Sequence, residues 1–174
     1  YLCIQGPPGA GKTFTARHII GDLIAKGKRI GISSNSHKAI INLMDGVADH
    51  LLEKNIEGQL IKVGGDAEDP IFDKQNVNFR KDAKACGNEL NSSALCIGGT
   101  AWLFCNALLT EEQGVETFDY LFIDEAGQVS IANLVGMGRI ANNIILMGDQ
   151  MQLGQPTQGS HPDKSGQSIL EYLL

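Results

Sequence analysis

Gly6-Pro7-Pro8-Gly9-Ala10-Gly11-Lys12-Thr13 is the stretch on which the fold turns. Two glycines enclose four residues and are followed by lysine and threonine, the pattern of a phosphate-binding loop. Glycines let the backbone turn its N–H groups inward and approach an anion with no Cβ in the way. Residues 1–5 form an apolar run before the loop. After it, from Lys12 to Ala25, the apolar positions Ala16, Ile19, Ile20, Leu23 and Ile24 fall at helical spacing. A helix in that place points its positive end at the same anion. Strand, glycine-rich turn and helix together are the context the pattern requires. At average composition the pattern arises by chance in fewer than about one chain in a hundred of this length.

Working outward, short apolar runs alternate with helix-period segments. Arg29 to Ser33, Leu60 to Val63, Ala94 to Ile97, Tyr120 to Ile123 and Asn143 to Met147 read as buried strands, as does Tyr1 to Ile4. Between the second and third strands, Ala39, Ile40, Leu43, Met44, Val47, Leu51 and Leu52 make the apolar stripe of a helix, with Ser34 to Ser36 as N-caps. This alternation predicts an α/β fold, a mostly parallel sheet with helices on both faces. Residues 64–93 are polar, charged and weakly periodic, and read as a surface excursion with room for one helix.

The 174 residues suit one domain with its own core. A net charge of -6 excludes a protein that grips nucleic acid by charge alone, yet leaves room for specific contacts to a single strand. Cys3, Cys86, Cys96 and Cys105 lack the CxxC spacing of a zinc site, and read as reduced, mostly buried thiols. No apolar run approaches the ~20 residues that span a bilayer. These features predict an intracellular protein, cytoplasmic or nucleoid-associated if bacterial, with no membrane partner. The apolar ends, Tyr1-Leu2-Cys3-Ile4 and Ile169 to Leu174, predict a domain truncated at both ends from a longer chain.

A second constellation completes a nucleotide site. Phe118 to Ile123 runs as a strand into Asp124 and Glu125. In a parallel sheet this strand end faces the phosphate loop across neighbouring strand ends. The reading is ATP with Mg²⁺: Lys12 bridges the β- and γ-phosphates, Thr13 and Asp124 hold the metal, and Glu125 orients and deprotonates the attacking water. Asn143 to Met147 leads into Gly148-Asp149-Gln150-Met151-Gln152-Leu153, so Gln152 opens on the same edge. The glutamine-rich tail, Gln150 to Gln167, carries no assignable chemistry, and His161 reads as a surface residue.

Taken together, Ile4 to Gly9, Asp124-Glu125-Ala126-Gly127-Gln128 and Gly148 to Leu153 resemble the superfamily 1 helicases. The likeness is greatest to the branch with the nonsense-mediated-decay helicase and the replication nuclease-helicases. Ser33 to Ala39 and Gly98-Gly99-Thr100 are similar to two further motifs of that family, in the same order. The resemblance implies a RecA-like P-loop ATPase domain, the first of two, acting on single-stranded DNA or RNA. It implies that Gln152 senses the γ-phosphate and Gln128 ties the nucleotide to the strand path. Ser34, Asn35 and Thr100 would touch the strand backbone, although the first two also suit plain helix capping. It further implies a second RecA-like domain supplying arginine fingers, and a fused nuclease. Ala10 stands where the family often has Thr, and Gly154-Gln155-Pro156 where it has paired prolines. The competing readings are an ATPase switch or assembly factor with protein partners, and a small-molecule kinase, which needs neither Glu125 nor Gln152.

Overall fold

The computed structural model describes residues 1–109, 114–115, 117–149 and 162–173. Among them seven strands, all parallel, form one sheet. They are β1 (Leu2–Gln5), β2 (Ile30–Ser33), β3 (Gln59–Val63), β4 (Val77–Arg80), β5 (Leu95–Gly99), β6 (Phe118–Ile123) and β7 (Ala141–Gly148). Their order is β1-β7-β6-β2-β5-β3-β4. The helices are α1 (Lys12–Ala25), α2 (His37–Lys54), α3 (Ala83–Cys86), α4 (Ala101–Phe104), α5 (Ile131–Gly138) and α6 (Ile169–Leu173).

Both faces of the sheet are covered, which is why its central strands read as unbroken apolar runs rather than alternating ones. Ile30 and Ile32 of β2, Cys96 of β5 and Phe122 of β6 pack with α1 and α2. Leu95 and Ile97 of β5 and Leu121 and Ile123 of β6 pack on the other face, with Phe104, Met137 and Ile169 from α4, α5 and α6. Glycine lets the layers close. A Cβ on Gly98 would lie 2.2 Å from Met44 Sδ of α2, and one on Gly31 would lie 2.8 Å from Leu121 Cδ1.

Three expectations are corrected. First, among the described residues β1 is an edge strand paired only with β7, and Tyr1 and Leu2 are exposed rather than buried. Second, residues 64–93 are more than a surface excursion. They supply β4, which pairs with β3 at the far edge, and they bury Ile71, Val77, Ala83, Cys86 and Leu90. The polar residues that hid this strand are tied locally: Arg80 pairs with Glu89 at 2.5 Å, and Lys74 with Asp45 and Asp49. Third, of the four free thiols only Cys86 and Cys96 are buried, while Cys105 is exposed.

Candidate nucleotide and strand site

The loop from Gly6 to Gly11 leaves β1 and enters α1. Gly9 and Gly11 adopt φ of +80° and +83°, a region that penalises any side chain. Gly6 is held differently. Its N–H donates to the Gly148 carbonyl at 3.2 Å, and a Cβ there would lie 3.0 Å from Ala10 Cβ. Lys12, the first residue of α1, curls back so that its ammonium donates to the carbonyls of Gly6 and of Pro7, the latter at 3.0 Å. Glycine backbone, lysine and helix end are thus gathered round one point, the arrangement an anion needs.

The acidic pair sits at the end of β6. The Asp124 N–H donates to the Ser33 carbonyl of β2 at 2.8 Å, fixing where the strand ends. Burial lifts the Asp124 carboxyl above the usual carboxylate range, while the nearby Lys12 charge and the hydrogen bond from the Glu125 N–H pull it down. A half-buried carboxylate, raised by burial and by the Glu125 charge and eased by Lys12, suits a site that receives a cation. Glu125 has φ +53°, left-handed for a non-glycine residue, and caps the turn Ala126–Gln128. That turn packs against the end of β7: a Cβ on Gly148 would lie 3.2 Å from the Gly127 nitrogen. Phosphate loop, Gly148 and acidic turn therefore form one continuous backbone cluster.

The strand order alters the predicted juxtaposition. β7 lies between β1 and β6, so the acidic pair faces the phosphate loop across one intervening strand end. Gln152, expected to sense the γ-phosphate, lies outside the described residues, as do Gln150 and His161.

Ser34 and Asn35 follow β2 on the same edge. Ser36, not Ser34 or Asn35, caps α2, accepting from the Ala39 N–H at 3.4 Å. Ser34 instead donates its hydroxyl to Glu125 Oε2 at 3.3 Å, and the Asn35 side-chain amide donates to the Gln128 carbonyl. Thr100 follows β5, where Ser33 and Gly99 are register partners. Ser34, Thr100 and Asp124 therefore stand side by side at three adjacent strand ends. The Gln128 backbone is tied to Asn35.

A buried pair beside this edge was not anticipated. Lys62, fully buried on β3, donates to His37 Nδ1 at 2.9 Å, to the Val63 carbonyl at 2.9 Å and to the Gly64 carbonyl at 2.7 Å. Burial lowers its ammonium to about 8, and burial with the Lys62 charge keeps His37 below its ordinary value, in the neutral form that accepts the bond. The signal was a lysine inside the apolar run Leu60-Ile61-Lys62-Val63. Lys62 joins the start of α2 to the turn after β3.

The chain has known relatives and structural neighbours. Residues 1–165 match the family described as AAA domain. The chain is 31% identical over 157 residues to the DNA replication ATP-dependent helicase/nuclease DNA2 of Saccharomyces cerevisiae. That match covers 88% of this chain but 10% of the yeast protein, so the chain spans about a tenth of that relative's length. Among solved structures, a nuclease-deletion mutant of the Type ISP restriction-modification enzyme LlaGI with a DNA substrate mimic superposes with a TM-score of 0.59. It is 15% identical, over 84% of this chain and 15% of that one. The Arterivirus nonstructural protein 10 helicase with DNA superposes with a TM-score of 0.52, at 18% identity over 94% of this chain and 32% of that one. These likenesses show the RecA-like α/β fold.

Proposed function

The chain belongs to the AAA-domain family, and we propose that it is the first RecA-like ATPase domain of a superfamily 1 helicase, hydrolysing ATP to move along single-stranded DNA or RNA. One observation carries the reading. Ser34, from the segment proposed to touch the strand, donates directly to Glu125, the proposed water base. A domain that only binds nucleotide has no need to join these two.

The backbone N–H groups from Gly6 to Thr13, with Pro7, Pro8 and Ala10 shaping the turn, would hold the β-phosphate, and Lys12 would span the β- and γ-phosphates. Thr13 and Asp124 would hold Mg²⁺, which neutralises charge developing on the phosphates. Among the described residues no cluster of three or more His, Cys, Asp or Glu could hold a metal alone. That suits a magnesium ion shared with substrate phosphates. Glu125 takes a proton from water as its oxygen attacks the γ-phosphorus, and the bond to the β–γ bridging oxygen breaks. Gln152 would report the γ-phosphate, and Gln128, tied to Asn35, would carry the change to the strand. Ser34, Asn35 and Thr100 would contact the strand backbone through hydroxyl and amide groups, which tolerates the charge of -6. The name of the yeast relative joins helicase to nuclease, which supports a nuclease elsewhere in the full protein; a second RecA-like domain there is part of the same proposal.

The test is steady-state ATP hydrolysis by the full-length protein with and without single-stranded DNA or RNA. Strong stimulation is the expected result. Phosphate release indifferent to both strands would replace the motor with a protein-partnered ATPase switch, and no release without a phosphoryl acceptor would indicate a kinase.

A further inference from the structure

Trp102 is 86% exposed, and no function described so far uses it. It lies on α4, whose other three residues, Ala101, Leu103 and Phe104, are all buried. Leu103 packs over Gly99, and Phe104 meets Phe118 edge to face, with ring centroids 6.2 Å apart. The helix is thus pinned to the sheet by three side chains, and the fourth presents an indole outward on a rigid support.

Immediately before α4 stands Thr100. It occupies the N-cap position, yet its side chain makes no cap hydrogen bond. A hydroxyl not spent on capping, two residues from an outward indole, pairs a phosphate contact with a π-face. Thr100 itself stands in the row of strand ends with Ser34 and Asp124. With a charge of -6, the domain lacks the general attraction that basic proteins use, so strand affinity must come from elsewhere. Stacking supplies it without sequence preference.

We propose that Trp102 is a stacking platform for one base of a single-stranded nucleic acid whose backbone Thr100 holds. The proposal rests on the single-strand reading above and adds to it a residue that contacts bases.

Trp102 is the one tryptophan of the chain, so its emission reports the site alone. The experiment titrates the chain with single-stranded oligothymidylate, following tryptophan emission, and in parallel the anisotropy of a labelled oligothymidylate. Emission should be quenched in step with binding. Trp102→Ala should weaken binding about tenfold or more, a range set by one base stack. Trp102→Phe, which keeps an aromatic face, should recover most of the affinity. The ring is exposed, so neither variant should lower the unfolding temperature. Binding with unchanged emission, or unchanged affinity in Trp102→Ala, overturns the platform while leaving the strand reading intact. Absence of any oligonucleotide binding by the full-length protein removes the strand reading itself, and the platform with it. Emission that responds to chain concentration rather than to oligonucleotide overturns the proposal in favour of a protein contact.

Discussion

One hydrogen bond joins Glu125, the proposed water base, to Ser34 of the segment proposed to touch the strand. Glu125→Gln keeps the shape of the side chain but cannot take a proton. ATP should still bind, while hydrolysis by the full-length protein falls by roughly 10²–10⁴-fold. Turnover at the parent rate would mean that another group is the base. Ser34→Ala removes the hydroxyl donated to Glu125. The expected result is a lower ratio of strand-stimulated to basal hydrolysis, measured by phosphate release at saturating oligonucleotide. A ratio equal to that of the parent would show that the contact carries no coupling. Glu125 was legible from its place after an apolar run. Its bond to Ser34 was not, because a residue's partner 91 positions away leaves no mark on the local pattern.

Strand β3 shows what a single buried charge does to an element. Lys62 is fully buried and lowered to about 8 from an ordinary 10.5. Below pH 8 it is charged in both folded and unfolded chains, so its contribution is constant. Between about 8 and 10.5 the unfolded chain holds a proton that the folded chain has lost. Stability contributed by this group therefore rises with pH across that window, by about 1 kcal/mol per unit. Urea unfolding of parent and Lys62→Met across the window should show the parent gaining on the variant as pH rises. A constant difference would mean that the buried ammonium holds its proton as tightly as a free one. The neighbouring strand β4 teaches the converse lesson. Val77-Asn78-Phe79-Arg80 carries too little apolar character to announce a strand, and pairing with β3 makes it one.

For the whole molecule, the arginines decide what the chain can do alone. Arg29 lies at the N-terminal edge of the sheet, its guanidinium donating to the Ser92 and Leu90 carbonyls. Arg139 follows α5 at that same edge, ahead of β7. Arg80 is paired with Glu89, and Arg17 lies over the Phe14 ring at 4.5 Å. None of these is placed among the residues gathered round Lys12 and Asp124. An arginine finger is worth about 10³–10⁵ in rate in other NTPases. The isolated 174-residue chain should therefore hydrolyse ATP poorly and bind strands weakly. Robust turnover by the chain alone, strongly stimulated by single-stranded DNA or RNA, would show that it is self-sufficient.

Sequence by itself determined the α/β class, the glycine-rich turn from Gly6 to Thr13 between strand and helix, and the acidic end of β6. Each is a property of contiguous residues: glycine's freedom at positive φ, the helix period, an apolar run closed by carboxylates. Only the tertiary structure decided that β7 separates β1 from β6, that residues 64–93 complete the sheet, and that Ser34 and Asn35 bond to the acidic turn instead of capping α2. These depend on which strand ends lie side by side. Long-range pairing sets that order, since two strands with the same apolar composition can exchange places without altering any local signal.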